Sequence, residues 1–142
     1  MKNTILMIAL TCFAFSSCKK DTPAASLEGK WRMILVKDNS SNTVAGKPPT
    51  IQGEVEITFN SISTTAGTFT GNTPTNDIWQ NDYSVGANQT IAIPNLSITK
   101  VSETSWGMEF VDNIRQAEKY SFGPYGKLSI STKNKNLVFK KL

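Results

Sequence analysis

Histidine is absent from all 142 residues. With it go the commonest general base, the usual partner of a nucleophilic serine or cysteine, and the commonest metal ligand. Cysteine occurs only as Cys12 and Cys18, so no thiolate cluster offers zinc ligands. The chain also lacks a long apolar run. Ile5 to Phe15 covers eleven positions, whereas a helix that crosses a bilayer takes about 20 residues. Strong charge of either sign is missing, with 15 basic against 11 acidic residues. The scattered lysines read as solvated groups that keep edge strands from aggregating, and no nucleic-acid partner is expected.

What is present begins with an address. "MKNTILMIALTCFAFSSC" has the three parts of a secretory signal: Lys2, the apolar stretch from Ile5 to Phe15, and the small pair Ser16-Ser17. "FSSC" (15–18) resembles the lipobox of bacterial lipoproteins, with Phe15 where leucine is usual. That resemblance implies a cut before Cys18 and a lipid on its sulfur. An ordinary secretory cut near "AFS" would instead leave Cys18 a plain thiol. Removing residues 1–17 takes Cys12 away, so the mature chain has one cysteine, forms no internal disulfide and has the length of one domain. Acyl chains on Cys18 would meet the two-anchor requirement for stable membrane attachment. The expected organisation is therefore a signal peptide (1–17), a lipidated tether (18–26) and a single domain (27–142). The expected location is the cell envelope, at the outer membrane, on either of its faces.

The domain alternates with the period of two that a half-buried strand requires. In "KWRMILVK" the residues Trp31, Met33 and Leu35 fall on one face and Arg32, Ile34 and Val36 on the other. "EVEITF" places Val55, Ile57 and Phe59 opposite Glu54, Glu56 and Thr58. "GTFTG", "DYSV", "TIAI", "LSITKV", "KYSFG", "KLSIS" and "NLVFK" read as further short strands, and "DNSSNTVAGKPPTIQG" (38–53) as a long polar loop. The pattern changes once. Trp106, Phe110, Ile114 and Ala117 recur at helical spacing, which predicts a helix over 105–118 capped by Thr104 or Ser105, with Asp112 and Arg115 able to pair. About eight short strands with one helix before the last three suggest a sandwich or a barrel. A closed barrel has no free edges.

The order of these elements resembles the META-domain (HslJ-like) family of bacterial envelope proteins over nearly the whole of 27–142. The stretches that carry the resemblance are "LEGKW", "GTFTGNTPTNDIWQNDYSV" and "TSWGMEFVDNIRQAEKYSFGPYGKLSISTKNKNLVFKKL". It implies a mainly β, lipocalin-like antiparallel barrel with an inserted helix, and a role in envelope maintenance or stress. Many members carry a cysteine beside the asparagine of "GNT" (71–73) and another after the threonine of "TSW" (104–106); this chain has neither. "GKW" (29–31) is also similar to the Gly-X-Trp signature of true lipocalins, in which the tryptophan packs across the closed end of the barrel.

Residue patterns that could carry chemistry are few. "SITK" has the S-x-x-K spacing of penicillin-recognising enzymes, but strand alternation directs Ser97 and Lys100 to opposite faces. Glu54 and Glu56 share a strand face, where they are expected to stay solvated and ionised. Asp77 and Asp82 flank Trp79 in what reads as a polar loop, with oxygen spacing too irregular for calcium. The aromatics Trp31, Phe59, Phe69, Trp79, Tyr83, Trp106, Phe110, Tyr120, Phe122 and Phe139 read as core. No catalytic residue, metal ligand or cofactor is expected, and Cys18 is the one assigned site, for lipidation. The sequence thus reads as a non-enzymatic, lipid-anchored envelope protein with an envelope protein as possible partner. The alternative is a lipocalin-like carrier of a small apolar ligand. A filled barrel interior would separate the first from the second.

Overall fold

The computed structural model describes residues 26–142. The expected signal peptide, Cys18 and all of the tether except Ser26 lie outside the described residues.

Nine antiparallel strands and one helix make up the domain. In chain order these are β1 (Gly29–Asp38), β2 (Val44–Gly46), β3 (Glu56–Ser61), β4 (Ala66–Asn72), β5 (Asp77–Gly86), β6 (Thr90–Ala92), α1 (Ser105–Ile114), β7 (Lys119–Phe122), β8 (Leu128–Ser131) and β9 (Lys135–Lys141). β1 pairs with β3 on one edge and with β9 on the other, from Trp31↔Lys141 to Asp38↔Lys135, so eight strands close into a barrel. β2 adds to β1 beyond the point where β3 ends. The expected lipocalin-like β-barrel with an inserted helix is the fold observed.

Six sequence expectations change. β1 does not alternate throughout, because its pairing with β9 slips by one residue between Met33 and Leu35. That bulge turns Val36 inward behind Trp31 and Met33 and leaves Leu35 half-buried. β5 runs through "DIWQND" (77–82), which read as loop, while β2 lies inside the supposed loop 38–53. "LSITKV" is no barrel strand; it lies along β5 at the isolated bridge Ile78↔Ile98 and through hydrogen bonds that join Ser97 to the Asn81 side chain and Asp77 to the Thr99 hydroxyl. The helix stops at Ile114 rather than 118, and Ala117 packs against the core from beyond its end. Thr104 is the N-cap, accepting the Gly107 N–H at 3.1 Å. The described ion pairs do not include Asp112 with Arg115.

The interior is filled. Trp31, Met33, Ile57, Phe59, Phe69, Leu128, Ile130, Leu137 and Phe139 from the strands meet Phe110 and Ile114 from α1, all under 2 % exposed or at that limit. Each such side chain contributes about 1.5–3 kcal/mol of burial. α1 seals one end of the barrel, next to β2 and the start of β9. Toward the other end Trp31 donates from Nε1 to the Leu27 carbonyl at 2.6 Å and faces Phe122 with centroids 6.1 Å apart. This tryptophan is buried at the foot of the groove that opens at this end.

Candidate functional site

The two ends of the barrel differ in chemistry, and each gathers residues that are distant in sequence. At the helix end, the turn between β4 and β5 and the irregular segment 93–104 meet around Glu103. Its Oε1 accepts from the Thr75 hydroxyl at 2.8 Å and the Thr104 N–H at 2.9 Å. Its Oε2 accepts from the Thr73 hydroxyl and from Asn76 Nδ2 at 2.9 Å. Asn76, itself 5 % exposed, also donates to the Val101 carbonyl and accepts from the Val101 N–H and the Thr99 hydroxyl. Burial, the largest influence on Glu103, pushes its carboxyl up. The hydrogen bonds from Thr73, Asn76, Thr75 and the Thr104 N–H together outweigh it and hold the group below its ordinary value. The carboxylate also stands beside the N-terminus of α1, where the helix dipole favours negative charge. Such a group is ionised and fully engaged, a joint between segments and a poor proton donor.

Beside this joint, α1 and the strand added to β1 leave a cleft of about 140 Å³ lined by Ala45, Gly46, Pro48, Ser105, Trp106 and Glu109. Val44, next to Ala45 on β2, is exposed. The indole N–H of Trp106 is buried with no hydrogen-bond partner among the described residues.

The opposite end carries a groove of about 480 Å³ whose lining includes Leu27, Ser61, Ser63, Tyr83 and Tyr120. The Tyr83 ring stands edge-on to Phe59 at 5.0 Å, with its hydroxyl 3.4 Å from Ser61 Oγ. It fits there because Gly67 has no side chain: a Cβ at that position would collide with the phenol. The groove is open, and hydroxyls and aromatic rings, with no charged group among them, form its walls.

The remaining sequence candidates do not converge. Glu56 lies on the outside of the barrel, clamped by Lys30 Nζ at 2.5 Å and by Arg32 at 2.5 and 2.9 Å. The Lys30 bond is the largest influence, and with Arg32 it overcomes burial and holds Glu56 below its ordinary value. Glu54 precedes β3 and pairs with Lys47 at 2.9 Å. Both carboxylates are therefore paired where solvation was expected. Asp77, Trp79 and Asp82 line the outer face of β5, so Trp79, 60 % exposed, is the one aromatic of the expected core that faces solvent. Ser97 and Lys100 are both exposed on the irregular segment, where the Ser97 N–H donates to Asn81 Oδ1. Among the described residues no three acidic side chains converge as cation ligands.

A protein from Burkholderia xenovorans, solved by NMR, has a similar fold. The match has a TM-score of 0.63 at 16% identity and covers 100% of this chain and 99% of that one. At this identity the likeness is one of fold. No family model matches the chain, and no curated protein is similar to it in sequence. No helix among the described residues is long and apolar enough to cross a membrane.

The joint at Glu103 was not legible in the sequence, since its partners lie 27 to 30 residues away. One local signal existed. Thr73 and Asn76 are spaced for the turn in which the hydroxyl accepts the N–H three residues on, at 3.0 Å.

Proposed function

We propose that the chain is a lipid-anchored protein of the cell envelope, held at the outer membrane through Cys18, whose META-like barrel acts by binding rather than by catalysis. The observation that carries this reading is the filled interior. Aromatic and aliphatic side chains from the strands and from α1 occupy the space in which a carrier would hold its ligand. That supports a protein that works through its outer surface, in envelope maintenance or stress-related contacts. The cleft between α1 and β2, lined by Ala45, Gly46, Pro48, Ser105, Trp106 and Glu109, suits a protein partner.

Further support comes from the two stretches that differ from the family pattern. "GNT" and "TSW" meet in space, since Thr73 bonds Glu103, the residue just before Thr104. Relatives that carry cysteines in these stretches would need that proximity to bridge them. The binding reading is supported as well by the exposed, separate placement of Ser97 and Lys100 and by the neutral donors that immobilise Glu103.

Fractionation of cells that express wild type and Cys18→Ala tests the anchor. The wild type stays with membranes and the variant becomes soluble, and membrane retention of the variant would refute the lipid. Native mass spectrometry of the purified protein tests the rest: a small apolar ligand carried through purification would favour the carrier instead. Hydrolysis of a β-lactam or ester reporter that vanished in Ser97→Ala would overturn the non-enzymatic reading.

A further inference from the structure

The described chain enters the barrel at the end opposite α1. Ser26 and Leu27 line the groove there together with Ser61 and Ser63. The β3–β4, β5–β6 and β7–β8 turns and the C-terminus stand at the same end, because β1 starts and β9 finishes there. This end shows side chains that the domain does not use. Ile62, on the β3–β4 turn, is 74 % exposed, Leu142 is 51 % exposed and Tyr125, on the β7–β8 turn, is 99 % exposed. Tyr125 also has φ of 60°, a backbone conformation that L residues rarely adopt. Its ring is thus held out on a tight turn between Pro124 and Gly126 with no packing inside the domain to account for it.

Charge is divided along the barrel axis in the same sense. The stretches 61–66, 86–90 and 122–127 that form these turns contain no aspartate or glutamate, and Lys127 closes the last of them. Lys140 and Lys141 precede Leu142, and Glu28 is the acid at this end, just ahead of β1. The helix end by contrast balances Asp38, Glu54, Asp77, Glu103, Glu109 and Asp112 against Lys37, Lys47, Lys100, Arg115, Lys133 and Lys135, so the net positive charge lies at the rim. In the field of an anionic bilayer surface, the net positive rim is drawn toward the lipid more than the balanced helix end.

We infer that this rim docks on the bilayer surface, with Ile62 and the Tyr125 ring in the interfacial layer and Lys127, Lys140 and Lys141 among anionic headgroups. The inference rests on the lipid-anchor reading, which supplies the geometry. Seven residues lie between Cys18 and Ser26, so over eight residue steps of about 3.3–3.6 Å each the rim lies within about 30 Å of the lipid. A tether this short keeps the rim at high effective concentration over the surface. An amphipathic ring and an isolated aliphatic tip are the side chains that the interface accepts. Docked in this way, the domain directs α1, β2 and the Trp106 cleft away from the membrane, where a partner can reach them.

The test uses the full chain, produced in a bacterium that processes lipoproteins and reconstituted in vesicles of phosphatidylethanolamine and phosphatidylglycerol. With Cys18 acylated and Cys12 removed, Tyr125→Cys and Lys133→Cys each offer one thiol for a fluorophore, at the rim and on the β8–β9 turn at the opposite end. Brominated acyl chains are expected to quench the label at 125 and not the one at 133. Quenching at neither position, or equally at both, with the protein still sedimenting with vesicles, overturns the docking and leaves the anchor standing. A chain that stays in the supernatant and has no acyl mass overturns the anchor and the docking with it.

Discussion

The side chain of Glu103 occupies the space that a Cβ on Gly107 would need. Read as sequence, Gly107 is a weak point in the first turn of α1. In the fold its missing side chain lets the carboxylate lie over the helix start, where Thr73, Thr75, Asn76 and the Thr104 N–H hold it.

That relationship predicts the sign of a substitution. Gly→Ala inside a helix ordinarily stabilises by about 0.5–1 kcal/mol. Gly107→Ala is expected to destabilise by about 1–3 kcal/mol, because the methyl displaces a carboxylate pinned by its donors. In a Glu103→Ala background the same change is expected to become neutral or stabilising. Urea unfolding of the four proteins of this cycle measures the coupling, and additivity would refute it.

Acid should weaken the fold in a way that traces to the same carboxylate. Glu103 and Glu56 are both held below their ordinary value of 4.5 in the folded state. The unfolded chain therefore takes up their protons first as pH falls. Their contribution is present in full at neutral pH and is lost as pH drops below about 4.5 and through the folded values. Unfolding free energy measured across this range should decline toward acid, and Glu103→Gln should remove part of the decline. An unchanged slope in that variant would show that its hydrogen bonds do not control the carboxyl.

Ile114 has no exposed surface and is the last buried residue of α1. Ile114→Asp places a charge in the packed end of the barrel, at a cost of several kcal/mol. The expected result is an unfolded chain or a large fall in Tm by circular dichroism, whereas the exposed Arg115→Asp should melt close to wild type.

At the other end, Trp31→Phe leaves the Leu27 carbonyl without its buried donor and shrinks the ring that meets Phe122 and the Lys141 ammonium, 5.4 Å from the centroid. A loss of about 1–3 kcal/mol is expected. Thermal melting checks it, and a wild-type Tm would mean that these contacts of Trp31 do not stabilise the fold.

The sequence by itself determined the strand-rich class, the place of one helix before the last three strands, and the helix face Trp106, Phe110, Ile114, with Thr104 and Ser105 as the two candidate caps. These features are local: periodicity marks which face is apolar, and a cap needs only the next turn. Tertiary structure alone decided the closure of β1 on β9, the bulge that turns Val36 inward, the extension of β5 through polar residues and the exclusion of "LSITKV" from the barrel. Alternation states that one side of a strand is buried without naming the strand beside it, and a one-residue slip in pairing reverses every side chain that follows. Polar residues such as Asn76 and Glu103 read as loop until partners far along the chain satisfy them, and only the folded barrel brings those partners within reach.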